Sequence, residues 1–182
     1  MQSKNQATQS LVPDSPYHEK AAEIQLVILD IDGVLTDGRL YYGNNGEAIK
    51  VFDVKDGLGI KQLQKAGIEV ALLSNGRSEE MVLARAQDLG IKTVYVGRSP
   101  KITILESWLK ERALEPTHVA YIGDDLNDIP VLEAVGLSAC PHDAVDAVKK
   151  TVDIQLAKKG GRGAVREFSD HLLTARQATV DA

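Results

Sequence analysis

The sequence predicts a doubly wound α/β fold: a mainly parallel sheet with helices on both faces, plus a β-hairpin insertion. Three observations lead there. Short apolar runs alternate with helical stretches from Ile24 onward, short glycine-containing connections join them, and acidic residues stand directly after two of the runs. Alternation of this kind implies right-handed crossovers between parallel strands.

Taken in order, the elements begin with a strand over Leu26–Ile31. A helix around Leu58–Ala66, a strand over Ile68–Leu73 and a helix around Glu79–Leu89 follow, then a short strand over Thr93–Val96. Ser99-Pro100 reads as an N-cap with proline at the first helical position, opening a helix through Arg112. Beyond Pro116 comes a strand over Val119–Ile122. One segment breaks the alternation. Arg39–Tyr42 and Ala48–Asp53 are β-rich runs around the turn signal Gly43-Asn44-Asn45-Gly46, which predicts the hairpin. Residues 1–23 are polar, with no periodic apolar pattern, and read as a flexible extension; residues 24–182 read as one domain with a C-terminal tail.

The chain has 182 residues, 43% of them hydrophobic and 26% charged, the composition of a globular domain with one core. Its longest apolar runs fall far short of the ~20 residues of a membrane helix. A formal net charge of −5 argues against a nucleic-acid partner, which would need clustered cations. A lone Cys140 and the absence of an N-terminal apolar core point to the cytoplasm. His18, His118, His142 and His171 are scattered without ligand spacing, so a zinc centre is not expected.

The acidic groups carry the chemistry. Asp30-Ile31-Asp32-Gly33 follows the first strand and Gly123-Asp124-Asp125-Leu126-Asn127-Asp128 follows the strand over Val119–Ile122. Carboxylates at the ends of buried strands are costly unless paired, hydrogen-bonded or bound to a metal. Ligands of open α/β sheets bind beyond the carboxyl ends of strands, where these residues lie. Hard oxygen ligands from two strand ends suit Mg²⁺. For Asp125 and Asp128 taken alone, helix capping serves as well.

These two motifs, in this order, resemble the first and fourth motifs of the haloacid dehalogenase-like superfamily. Ser74 at a strand end and Lys101 at a helix start stand where its second and third motifs belong. With Asp53-Val54-Lys55-Asp56-Gly57-Leu58-Gly59-Ile60 and Gly160-Gly161-Arg162-Gly163-Ala164-Val165-Arg166-Glu167, the chain is similar to the capless phosphatases that act on 3-deoxy-D-manno-octulosonate 8-phosphate.

That resemblance implies hydrolysis through an aspartyl-phosphate on Asp30, with Asp32 as general acid and base. It implies Mg²⁺ held by Asp30, the Asp32 backbone carbonyl and Asp124, with Asp125 and Asp128 behind the ligands or reaching the metal through water. Lys101 and Ser74 would stabilise the transferring phosphoryl group. Arg77 and Arg162 would bind the substrate carboxylate. It further implies a homotetramer built around the hairpins, with tails near neighbouring sites, and Gly160–Gly163 offers the freedom to reach them. Alternative readings are a phosphatase for a nine-carbon sugar acid phosphate and a non-catalytic phosphoaspartate receiver, which would need no general acid. The chain departs from the superfamily's usual Thr-Gly-Arg by reading Ser74-Asn75-Gly76-Arg77, which makes the aim of Arg77 an open question.

Overall fold

In the computed structural model, which describes residues 17–180, six parallel strands form one sheet in the order β5-β4-β1-β6-β7-β8. They are β1 (Leu26–Leu29), β4 (Glu69–Ser74), β5 (Thr93–Val96), β6 (Val119–Ile122), β7 (Leu137–Cys140) and β8 (Ile154–Gln155). A separate antiparallel pair, β2 (Tyr41–Gly43) and β3 (Gly46–Ile49), is the predicted hairpin; Gly43 pairs with Gly46, so Asn44-Asn45 is a two-residue loop. The expected strands and helices are present, with ends shifted by a few residues.

β1 sits between β4 and β6 because its side chains are buried on both faces, the pattern of a central parallel strand. Val27 and Leu29 enter one core layer, Leu26 and Ile28 the other. The first layer is covered by α1 (His18–Glu23), α2 (Val54–Lys65), α3 (Glu79–Leu89) and α7 (Ala164–Val180). α4 (Lys101–Arg112), α5 (Ile129–Ala134) and α6 (Asp146–Thr151) cover the second. The chain leaves β1 for β4 and β5 on one side, then crosses to β6 on the other. The crevice at the carboxyl ends of β1 and β6 is therefore the switch point where such sheets bind ligands. Only the hairpin and α2 separate the β1 loop from β4, and only α3 and β5 separate β4 from α4. Neither interval has room for a cap domain.

Three expectations need correction. The extension assigned to residues 1–23 ends earlier: His18–Glu23 is a helix packed on α7, with Ala21 fully buried, because the small side chain lets the two helices approach. Residues 1–16 lie outside the described part. Ser99 is not the cap of α4. Pro100 holds the cap position with extended backbone (φ −53°, ψ 131°), while the Ser99 carbonyl accepts the Asn75 side chain at 3.0 Å.

The run Gly160–Gly163 is not a free hinge. Gly161 N–H donates to the Val34 carbonyl at 2.9 Å, and Gly160 N–H donates to Asp143 at 3.0 Å. A Cβ on Gly160 would stand 1.8 Å from the Gly33 carbonyl oxygen, so only glycine lets this turn lie against the β1 loop. The buried Asp56 then accepts N–H groups of Gly163 and Arg166, at 3.3 and 2.8 Å, fixing the start of α7. Val165, Phe168 and Leu172 are fully buried. At about 1.5–3 kcal/mol each they rival the whole stability of a typical domain. The expected tail is a core element, and deleting from Gly160 onward would unfold the chain.

Candidate active site

Asp30 leaves β1 directly into the crevice, and its N–H donates to Ile122 of β6 at 3.0 Å, so the strand ladder holds its backbone. The loop turns at once: Asp32 is extended (φ −81°, ψ 114°) and Gly33 takes φ 92°. Gly33 cannot be replaced cheaply, since a Cβ there would stand 2.0 Å from Asp124 Oδ2. The buried Thr36 hydroxyl ties the loop, accepting Gly33 N–H at 3.4 Å and Gly38 N–H at 3.3 Å.

Lys101, the first residue of α4, has a fully buried side chain. Its ammonium lies 2.9 Å from Asp30 Oδ1, 2.6 Å from Asp128 Oδ1 and 3.2 Å from the Tyr121 hydroxyl. A cation at a helix N-terminus opposes the dipole by about 0.3–1 kcal/mol. Breaking a buried pair costs about 3–5 kcal/mol, so the carboxylates decide where Lys101 sits. Burial works to lower its pKa, but Asp30 and Asp128 outweigh it and raise the pKa.

Asp128 is completely buried and fully engaged. Its Oδ1 takes Lys101 and, at 2.5 Å, the Tyr121 hydroxyl, while its Oδ2 accepts the N–H groups of Asp124 and Asp125 at 2.9 and 3.1 Å. It orients the site and leaves no lone pair in convenient reach of an ion. Asp125 caps the short turn Leu126–Asp128, accepting Leu126 N–H at 2.7 Å, as its residue type alone allowed.

Asp124 differs. Its Oδ1 is buried with no hydrogen-bond partner, an arrangement that costs free energy unless something else binds there. Carboxylate oxygens of Asp30, Asp124 and Asp128 lie within 4.8 Å of one another, and Lys101 is the cation set among them. Burial raises the Asp30 pKa to about 7 against the pull of Lys101. Burial, then the charges of Asp30 and Asp128, raises that of Asp124 to about 8. An excess of buried negative charge with an unpartnered oxygen fits a divalent cation on Asp30 and Asp124.

Ser74, the last residue of β4, is buried and its Oγ accepts Gly76 N–H at 2.9 Å, leaving its own proton to donate. The additional residue Asn75 is a strut. Its side-chain amide donates to the Gly97 carbonyl at 2.8 Å and to Ser99 at 3.0 Å, and its oxygen accepts Asn127 at 3.4 Å. It joins the β4 loop to the loops that carry Lys101 and Asp128. Arg77 is exposed and lines the open cleft of about 600 Å³ that Asp30, Asp32, Ser74 and Asp124 also line. Arg162 is not among the lining residues; it is exposed and 3.7 Å from Asp37. Cys140 is buried, and burial pushes its thiol up to about 12, so it is inert at neutral pH.

Sequence reasoning missed two groups. Tyr121 sits in the apolar run Val119–Ile122, and the one signal was a hydroxyl needing a partner inside a buried strand. Lys50 follows β3, and its ammonium reaches Asp32 Oδ1 at 2.5 Å and Glu47 at 2.8 Å. No local pattern in the hairpin announces that contact.

Comparison with known proteins agrees with this geometry. Residues 46–136 match the family model described as haloacid dehalogenase-like hydrolase. The 3-deoxy-D-manno-octulosonate 8-phosphate phosphatase of Salmonella typhimurium is 47% identical over 90% of this chain and 87% of its own length. A cobalt-bound structure of the Haemophilus influenzae phosphatase superposes with a TM-score of 0.84 at 47% identity, covering 87% of this chain and 92% of that one. The Moraxella catarrhalis phosphatase, solved with magnesium, phosphate and a KDO molecule, gives 0.84 at 36% identity, over 90% and 95% of the two chains. By sequence and by fold, this chain belongs to the haloacid dehalogenase-like hydrolases, in the family of the 3-deoxy-D-manno-octulosonate 8-phosphate phosphatases.

Proposed function

We propose that this chain hydrolyses 3-deoxy-D-manno-octulosonate 8-phosphate to the free sugar acid and phosphate, as a cytoplasmic step of lipopolysaccharide precursor synthesis. The observation that carries the chemistry is the buried carboxylate excess at the switch point, with Asp124 Oδ1 unpartnered beside Asp30. Mg²⁺ held by Asp30, the Asp32 backbone carbonyl and Asp124 would neutralise this charge together with that of the phosphate dianion.

Lys101 fixes one oxygen of Asp30. The carboxylate attacks phosphorus, a bond from aspartate oxygen to phosphorus forms as the ester bond breaks, and the sugar oxygen leaves with a proton from Asp32. Water then attacks the aspartyl-phosphate, Asp32 takes its proton, and phosphate departs with Asp30 restored. The Ser74 hydroxyl, engaged only as an acceptor by Gly76, donates to a phosphoryl oxygen throughout. Arg77, on the cleft wall, suits the carboxylate of the sugar acid.

The open cleft needs cover to exclude water. Leu40, Tyr42, Ile49, Val51, Val54 and Leu58 on and beside the hairpin are each more than half exposed in the single chain. Such a patch favours assembly with further copies, as a homotetramer around the hairpins. Arg162 would then serve a neighbouring cleft.

A panel of sugar phosphates assayed by phosphate release, with Mg²⁺ and with chelator, tests the reading. The octulosonate 8-phosphate should give the highest kcat/KM, and chelator should abolish turnover. A preference for a nine-carbon analogue, or full activity in chelator, would overturn it.

A further inference from the structure

The hairpin breaks the strand and helix alternation between β1 and α2, and Lys50, directly after it, reaches the heart of the site. Lys50 follows β3 with its side chain 2% exposed, although lysine is rarely buried without a purpose. Its ammonium lies between Asp32 Oδ1, at 2.5 Å, and Glu47 Oε1, at 2.8 Å. Glu47 is held in turn by the hydroxyl of Ser78, which precedes α3. The chain Ser78, Glu47, Lys50, Asp32 thus ties the β4 loop and the hairpin to the loop after β1.

Asp32 Oδ1 is occupied by Lys50 and approached by the Thr36 hydroxyl at 3.5 Å, so Oδ2 is the oxygen left for chemistry. That oxygen faces the cleft. A Cβ built on Gly76 would lie 2.9 Å from Asp32 Oδ2 and 3.0 Å from Ser74 Oγ, so the two oxygens look onto one point. A general acid must come within about 2.6–3.2 Å of the leaving oxygen, and a 1 Å misplacement costs about a hundredfold in rate.

From this geometry we infer that Lys50 is a positioning residue for the reaction: it clamps Oδ1 of Asp32 so that Oδ2 meets the leaving oxygen of the ester. The Lys50 and Glu47 side chains of this tie are buried, at 2% and 8% exposure, while Asp32 keeps 29% exposure toward the cleft, so bulk solvent screens the contact less than it screens a surface pair. The inference rests on the reading of Asp32 as general acid and base.

Leaving-group dependence tests it in the full chain with Mg²⁺, because p-nitrophenolate departs without a proton while a sugar alkoxide needs one. Lys50→Met should lower kcat on the sugar acid phosphate by about 10- to 100-fold, part of the 10²–10⁴ that acid catalysis supplies, with KM little changed. On p-nitrophenyl phosphate the loss should be several-fold smaller. Glu47→Gln, which loosens Lys50 without removing it, should shift both substrates in the same sense by less, and it carries the test if the Lys50 variant does not fold. Equal losses on both substrates, or a loss confined to KM, would overturn the inference. Asp32→Asn is the control. If it discriminates between the substrates and the Lys50 and Glu47 variants do not, Lys50 alone is misassigned. If Asp32→Asn treats both alike, the acid role of Asp32 fails, and the role of Lys50 fails with it.

Discussion

At its amino end the sheet carries Glu69, the first residue of β4, gripped by Arg112 from the end of α4 through contacts of 3.1 and 2.8 Å. Arg112 also donates to Thr93 of β5 at 2.7 Å. Arg112 pairs with Glu69 here, with side chains 23% and 44% exposed, and Glu111 stands 4.0 Å from the same guanidinium. At the carboxyl end the carboxylates of Asp30, Asp124 and Asp128 surround Lys101, whose side chain is fully buried. The first arrangement fastens two strands and a helix. The second is unbalanced where water cannot compensate, and a sheet tolerates that only where the imbalance serves a ligand. Burial together with excess charge, rather than the number of ion pairs, separates the working end from the structural one.

The most severe test of this contrast is Asp30→Asn, which keeps the shape of the site and removes the attacking charge. Phosphate release should fall by at least about 10⁴-fold, the order expected when a covalent nucleophile is lost. Circular dichroism should be unchanged, since the variant introduces no new charge or volume. Turnover near that of the parent would remove Asp30 from the nucleophile's role.

Next in size is Lys101→Met, which leaves Asp30 and Asp128 without their cation. It should destabilise the protein by about 3–5 kcal/mol in urea titrations and stop turnover. A change below about 1 kcal/mol would mean that the carboxyl end is no more demanding than the amino end.

The third prediction concerns pH. Asp30 and Asp124 have folded-state pKa values raised to about 7 and about 8, above the ordinary 3.8. A raised carboxyl pKa means that the folded state binds protons more tightly than the unfolded one. Its stabilising contribution is full below about pH 4 and is lost as pH rises through 7 and 8, with a limiting slope of about 1.4 kcal/mol per pH unit per proton. Thermal melts in chelator should therefore decline toward pH 8, and saturating Mg²⁺ should flatten that decline. Parallel curves with and without Mg²⁺ would separate the metal from these carboxylates.

The smallest effect belongs to the amino end. Arg112→Ala should cost only about 0.2–1 kcal/mol at pH 7, because the pair is half in water. Hydrogen bonding to Arg112 lowers the Glu69 pKa from 4.5, so that contribution exists above pH 4.5 and disappears as acid protonates Glu69. Parent and variant should converge at low pH. A gap that persists there would assign the loss to the packing of Arg112 on Trp108, 6.0 Å from its ring.

The sequence by itself determined the α/β alternation, the hairpin turn and the two acidic motifs. Each is written in neighbouring residues: apolar runs, glycine turns, and aspartates directly after Leu29 and Ile122. Asp30, Asp32 and Asp124 stood out as candidates for that reason, whereas Ser74 and Lys101 were singled out only by the resemblance to the superfamily's motifs. Tertiary structure alone decided what these side chains touch. Asp128 was read as standing behind the metal ligands, and the groups it holds there are Lys101, Tyr121 and two backbone N–H groups. Asn75 was read as a disturbance and proved to be a bridge between loops. Lys50 left no trace in the pattern, because its meaning is a contact with Asp32, 18 residues away along the chain. Gly160–Gly163 read as freedom, yet the backbone of Gly33 and Thr36 is pressed against Gly160 and Gly161. Local propensity reports what a residue allows its own backbone, whereas the charge and space that a distant segment imposes exist only after the sheet has brought the two together.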